Sequence, residues 1–338
     1  MAKTTRVGKS LISIQEELGT EEQCLAFLET LRWPHGVRCL KCGKDKISKF
    51  TTKESERKSP YISKKTGQAT KHLIPSRQLY QCLNHECGYQ FTATTGTIFN
   101  DSHLELRKWM LAVAIMCNAK KGVSAKQLQR DIEVSYKTAW YLSHRIREAM
   151  AVGNFNDQKL DSVLEIDETF VGGKAPKGSP KYFSKTPVVG IRQRGGDLRF
   201  FKAEDVTSGT LAKFIEENVS PNVEKVMTDE WTAYPKAMIE AGIHGSKHHT
   251  IRHKSQVYAI GDVYTNSVES AFSLLKRGII GSFHKISIKH LDRYLQEFSF
   301  RFNNRNNQEL FALTVAALVL GIPLPYAKLI AESSSPSA

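Results

Sequence analysis

Apolar residues recur at helical spacing through much of the first half of the chain, then gather into short strand-like runs, and return to helical spacing towards the end. Residues 1–15 show no strong pattern and read as an arm. Thr20-Glu21-Glu22-Gln23 has the form of a capping box, with Leu25, Leu28 and Leu31 at helical spacing behind it. Trp33-Pro34-His35-Gly36 stops that helix. Tyr89 to Thr94 alternates as a strand does, and a longer helix runs through Leu104, Leu106, Trp109, Leu111, Val113 and Ile115. After Gly122, Ser124-Ala125-Lys126-Gln127 opens a helix with Leu128 and Ile132 inward. Ser135 caps another carrying Ala139, Leu142, Ile146 and Met150. Helix, short turn and helix at these spacings predict a helix-turn-helix.

Polar residues 151–162 read as a linker into a second kind of pattern. Strands are predicted at 163–170, 188–192 and 198–206, then a helix at about 208–218 and a fourth strand reaching Asp229. Gly172 to Lys185 forms a basic loop between the first two strands. Three consecutive strands, a crossover helix and a fourth strand are the element order of a ribonuclease-H-like α/β fold. The apolar helix Leu310–Leu320 is too short to span a bilayer. It is expected to pack on the ribonuclease-H-like core, with a dimer contact as the alternative. The Ser-rich end from Glu332 reads as disordered.

Charge sharpens this division. Residues 1–150 hold 25 Lys and Arg against 14 Asp and Glu, while residues 151–338 hold 23 against 20. A basic front half suggests that a polyanion is gripped there, although a solvated surface would look the same. No apolar run reaches bilayer length and no secretory h-region opens the chain, which places the protein in the cytoplasm without a membrane partner.

Four of the six cysteines form two close pairs, Cys39/Cys42 and Cys82/Cys87, each followed by glycine (Gly43, Gly88). Paired cysteines without a secretory signal point to metal rather than disulfides, and four thiolates make a closed structural zinc site. His85 could stand in for one thiolate. Residues 44–72 between the pairs, with eight Lys and one Arg against three acids, read as an exposed hairpin or loop. Cys24 and Cys117 sit in helical patterns as core thiols.

Three carboxylates interrupt the apolar strand Val163-Leu164-Glu165-Ile166-Asp167-Glu168-Thr169-Phe170. Asp229 ends the fourth strand, which lies beside the first in this fold, so Asp167 and Asp229 come together. Two such carboxylates repel unless divalent cations neutralise them, and oxygen-only ligands select Mg²⁺ or Mn²⁺ rather than zinc. Asn266, Glu269, Ser273 and Lys276 share one stripe of a later helix, with Val268, Phe272 and Leu275 on its apolar face. Glu269 would complete the metal cage and Lys276 could reach phosphates; Asn266 is a further contributor to weigh. On the second helix of the helix-turn-helix, Lys137, Tyr141 and Arg145 are offered for contacts with DNA, and Arg277 follows Lys276 as another. His248, His249, His253, His284 and His290 are weaker candidates, each more readily a surface or packing residue.

These three acids, the Asn266-x-x-Glu269 helix with its trailing Lys276-Arg277-Gly278, and the run from Gly281 through Phe302-Asn303-x-Arg305 resemble bacterial insertion-sequence transposases of the DDE type with an N-terminal zinc ribbon. The resemblance covers the chain from about Thr20 to Arg305. It implies a zinc ribbon with its leading helix over 16–100, a helix-turn-helix DNA-binding region over 101–150 and a ribonuclease-H-like DDE catalytic domain over 163–325. It further implies Asp167, Asp229 and Glu269 as ligands of Mg²⁺ or Mn²⁺, beside the structural Zn²⁺. The partners it implies are double-stranded DNA, as terminal inverted repeats and target, and further copies of the same chain in a homo-oligomeric DNA complex. The rival readings are a DNA-binding regulator that has lost catalysis and a metal-dependent nuclease or resolvase on the same fold. A structural adaptor is a weaker third, since it leaves the later carboxylates without a purpose.

Overall fold

Local capping starts the chain's first two helices. The computed structural model describes residues 10–62, 69–74, 76–152, 158–172, 185–251 and 265–331. Outside these lie most of the expected arm (1–9), part of the basic stretch between the cysteine pairs (63–68), the middle of the linker (153–157), most of the basic loop (173–184), His253, and the Ser-rich end (332–338). Ser10 accepts the Ser13 N–H at 3.0 Å and starts α1 (Leu11–Glu17), a helix inside the expected arm that is too short to show a period but buries Ile14. The capping box forms: Thr20 and Gln23 exchange backbone-to-side-chain hydrogen bonds of 3.2 and 3.0 Å at the start of α2 (Glu21–Arg32).

The ribbon follows. β1 (Ile47–Thr51), β4 (Gln78–Cys82) and β5 (Gln90–Phe91) form an antiparallel sheet in the order β1-β4-β5. β2 (Ser55–Ile62) and β3 (Ala69–Ile74) form a separate hairpin between its first two strands. Next come α3 (Leu106–Asn118), α4 (Ala125–Asp131) and α5 (Tyr136–Val152). Ser124 accepts the Gln127 N–H and Ser135 the Thr138 N–H, both at 3.1 Å, so the helix-turn-helix caps form where the sequence set them.

The back half is a five-stranded sheet built from β6 (Val163–Gly172), β7 (Lys185–Gln193), β8 (Leu198–Lys202), β9 (Lys225–Asp229) and β10 (His248–Ile251), in the order β10-β9-β6-β7-β8. The first three strands are antiparallel neighbours, and β9 and β10 run parallel to β6. This is the ribonuclease-H-like arrangement. The third strand stops at Lys202, short of the expected 206, and β10 carries a His-His-Thr-Ile run with no clear alternation. The two sheet faces follow the period of two. Leu164, Ile166, Val189 and Ile191 pack against α6 (Ser208–Asn218) and α7 (Ala233–Glu240). Val171, Val188 and Phe200 pack against α8 (Asn266–Gly278) and α9 (Leu291–Asn303). Gly190 lets α8 come close: a Cβ there would stand 2.7 Å from Phe272 Cζ.

The last helices depart from expectation. α10 (Leu310–Leu320) does not lie on the sheet's core; it packs against α2, α3 and α5, and Leu310, Phe311, Val315 and Leu318 join one apolar cluster with Leu28, Trp109 and Ile146. Its apolar residues run all round the helix, so no stripe indicates which neighbour it takes. The short α11 (Tyr326–Ile330) follows. No helix among the described residues is long and apolar enough to cross a membrane.

The helical front is bolted to the back through α5 and α9. Arg147 Nε meets Glu297 Oε2 at 2.7 Å and Arg301 Nε meets Glu297 Oε1 at 3.2 Å, with all three side chains buried. Removing one partner of a buried ion pair leaves the rest uncompensated. Glu297→Ala is therefore expected to lower unfolding stability by about 3–5 kcal/mol. Urea unfolding monitored by circular dichroism checks this, and a loss below about 1 kcal/mol contradicts it.

Candidate active site

Strand register brings the first two acids together. β6 and β9 pair in parallel with Leu164 opposite Val226 and Glu165 opposite Met227, and the same register carried two residues further sets Asp167 level with Asp229 at the end of β9. Asp167 faces the side of the sheet covered by α8, whose first turn carries Glu269. Burial first, and then the charges of Glu168, Asp229 and Glu269, together push the Asp167 carboxyl up to about 7 against the Glu168 amide, which donates to Asp167 Oδ1 at 2.8 Å. The three acids thus sense one another across β6, β9 and α8. Unlike the ribbon cysteines, the three acids do not close into a compact ligand group. Carboxylate oxygens as donors fit hard divalent cations such as Mg²⁺ or Mn²⁺ rather than zinc.

Surrounding groups fix the acids in place. Asp229 Oδ1 accepts the Trp231 N–H at 2.9 Å, and the Thr265 hydroxyl donates to Glu269 Oε1 at 3.1 Å. Glu168 faces the opposite side of the sheet, where it accepts a 2.6 Å hydrogen bond from the Tyr234 hydroxyl. Burial raises its pKa in spite of that bond. Glu165 is fully buried and accepts from Arg194 and from the Ser267 and Val268 amides. The sequence marked Glu165 and Glu168 only as interruptions of a strand; their spacing of one residue either side of Ile166-Asp167 was the available signal, because it sets Glu165 on the face of Asp167 and Glu168 on the other.

In the ribbon, the Sγ atoms of Cys39, Cys42, Cys82 and Cys87 all lie within 4.8 Å of one another, with Cys39–Cys87 at 3.7 Å and Cys42–Cys82 at 3.6 Å. A tetrahedron with Zn–S legs of about 2.3 Å has edges of about 3.8 Å, so the thiols stand where one zinc ion would hold them. Gly43 and Gly88 adopt φ of +73° and +54°, the left-handed turn that follows the second cysteine of each pair. His85 is exposed and is not needed to complete the four-ligand set. Trp33, Tyr80 and Phe91 form the small core beneath.

The residues expected to meet DNA divide. Lys276 and Arg277 are exposed on α8 beyond Glu269, and Lys137 is exposed near the start of α5, its Nζ 4.5 Å from the Tyr326 ring centroid. Tyr141 is partly buried, its hydroxyl donating to the Leu324 carbonyl. Arg145 is not on the surface: it is 4% exposed, stacked between Trp109 and Tyr141, and donates to the Asn100 carbonyl at 3.0 Å. Its planar cation fills an aromatic slot of the helical core. Asn266 is exposed at the start of α8. Among the histidines, His248 bonds Thr228 at 2.9 Å and His290 packs on Trp140 and His144, while His284 is exposed.

Residues 159–303 match the ISXO2-like transposase domain, and residues 19–90 match the transposase zinc-ribbon domain. An uncharacterized protein in transposable element ISH50 of Halobacterium salinarum is 25% identical over 300 residues, covering 83% of this chain and 90% of that protein. The crystal structure of the Mos1 strand transfer complex is similar at 12% identity and a TM-score of 0.27, over 62% of this chain and 75% of that one.

Two outcomes follow from this geometry. The purified chain should carry about one zinc by elemental analysis, and Cys82→Ala should lose it together with the ribbon's cooperative unfolding. Full zinc retention in that variant contradicts the four-thiol site. For the metal-free protein, Asp167 takes its proton up more readily when folded than when unfolded, so the folded state binds more protons between pH ~4 and ~7. Its contribution therefore falls as pH rises through that window and levels off above it. Asp167→Asn should be more stable than the parent at pH 8 and closer to it at pH 4; equal offsets at both values in chelator-treated samples contradict this.

Proposed function

This chain belongs to the insertion-sequence transposases that join a zinc ribbon to an ISXO2-like domain, and from that footing we propose that it binds the terminal inverted repeats of its element, cleaves their 3′ ends and joins them to target DNA. The observation that supports this reading best is the strand register that carries Asp167 level with Asp229, with Glu269 in the first turn of the helix covering the same face. These three residues would hold a pair of Mg²⁺ or Mn²⁺ ions. Such a pair, when bound, activates a nucleophilic oxygen and offsets charge on the departing one.

In the first step, a water oxygen attacks the scissile phosphorus and the bond to O3′ breaks, leaving a 3′-hydroxyl and a 5′-phosphate. In the second, that hydroxyl attacks a target phosphodiester and the target's own 3′ oxygen leaves. One active site serves both reactions because the attacking group is a hydroxyl each time. Lys276 and Arg277 lie about two turns along α8 from Glu269 and would track the phosphates on either side of the scissile bond. The zinc ribbon and the exposed start of α5 with Lys137 would grip the repeat, since recognition helices present their N-terminal residues to base edges. Pairing of two element ends calls for more than one copy of the chain.

Purified protein with Mg²⁺ and a duplex carrying the DNA that flanks its own gene should nick at the repeat boundary and transfer the new 3′ end. Asp167→Ala should reduce nicking by about a thousandfold or more while leaving repeat binding within about twofold by gel shift. Nicking at the parental rate in that variant removes the assignment. Cutting without transfer would assign a nuclease instead.

A further inference from the structure

Glu165 occupies a place that neither zinc binding nor the proposed chemistry requires of it. It lies two residues before Asp167 on β6, about 7 Å along the strand and on the same face. Its carboxylate is fully buried and both oxygens are committed. Oε1 accepts from Arg194 Nε at 2.8 Å, while Oε2 accepts from the backbone N–H groups of Ser267 and Val268 at 2.9 and 3.0 Å. Those amides belong to the first turn of α8.

A helix start leaves its first amides without intrahelical partners, and a side chain of the preceding residue commonly takes one of them. α8 lacks that device. Thr265 makes no side-chain capping bond, and its hydroxyl turns to Glu269 instead. The cap comes from another element, as a full carboxylate set against the positive end of the helix dipole. Arg194 is fixed in turn by its own N–H, which donates to the Val163 carbonyl at 3.0 Å.

We propose that Glu165 is a positioning residue of the active site: by capping α8 from β6 it sets the distance between Asp167 and Glu269, and so the affinity of the acidic cluster for divalent cations. The inference rests on the reading of Asp167, Asp229 and Glu269 as metal ligands. The chain of contacts is short. Glu165 and Asp167 share a strand face, and Val268, the second amide that Glu165 holds, is followed directly by Glu269. Without the cation, three like charges push β6 and α8 apart at this point, and the Glu165–amide contact is the attraction that opposes them there. The apolar seat of Phe272 and Leu275 holds the middle of α8 on the sheet, and the cap holds its first turn, which carries Glu269. Glu165 is no ligand itself, because neither oxygen faces away from its partners.

The test uses the full-length, zinc-loaded protein and Mn²⁺ as the probe, with binding read by electron paramagnetic resonance or calorimetry as well as by cleavage. Glu165→Gln keeps the volume but must turn its amide group either towards the helix N–H groups or towards Arg194. It should weaken Mn²⁺ binding at the acidic cluster by about tenfold or more, the scale for residues that orient metal ligands. It should also raise the half-saturating Mg²⁺ for cleavage similarly, while the rate at saturating metal stays within a few-fold. Amide hydrogen exchange should lose protection at Ser267 and Val268 but keep it at Phe272 and Leu275. Glu165→Asp, which retains the charge one methylene short, should recover part of the affinity and remains informative if the Gln variant fails to fold. Ser270→Ala, exposed on the same helix, should match the parent. If Asp167→Ala loses Mn²⁺ while Glu165→Gln binds it at parental affinity, the positioning role is overturned and the metal site stands. If both bind it at parental affinity, the metal site falls and the positioning role with it.

Discussion

Burial of like-charged carboxylates is the constraint to which the back half of this molecule answers. Asp167 shows both effects, since burial first and the charge of its acidic neighbours second push its pKa up to about 7. The surrounding structure is arranged to tolerate it. β6 is clamped between β7 and β9, apolar residues above and below fill both faces, and Gly190 removes a side chain where Phe272 must approach. A sheet centre is stiff enough to hold like charges together until cations arrive, which a loop would not be.

The thiol cluster and the acidic cluster answer opposite problems. In the ribbon the apolar cluster is small, built on Trp33, Tyr80 and Phe91, and four thiols within a few ångströms let an ion substitute for the core that such a short segment cannot bury. In the sheet the core is ample and the acidic groups do not close into a compact ligand set. Soft ligands closed around one ion make a fastener; hard ligands left open make a place for exchangeable water and substrate oxygens.

What could be read from the chain beforehand was what depends on near neighbours. Thr20 with Gln23, and Ser124 with the Gln127 amide, are decided within a few residues, and the glycines after Cys42 and Cys87 announce their turns. The sheet order was legible because the strands and crossover helix come in sequence and few topologies accept them. Arg145 was not, because its enclosure depends on Trp109 arriving from α3, and a basic side chain on a helix gives no sign of which aromatic rings surround it. β10 escaped because two histidines and a threonine carry no alternation, although His248 finds Thr228 across the strand pair. The cap on α8 was hidden for the same reason: its donor and acceptor lie on strands and helices far apart along the chain.

The placement of α10 has a consequence for how this protein comes into being. The cluster around Leu28, Trp109 and Ile146 is closed by Phe311, Val315 and Leu318, so the front helices wait for a segment far along the chain. Contacts of such long sequence separation form late and slow the search for the native state. A chain lacking that segment would show bare apolar helices and invite proteolysis or clumping.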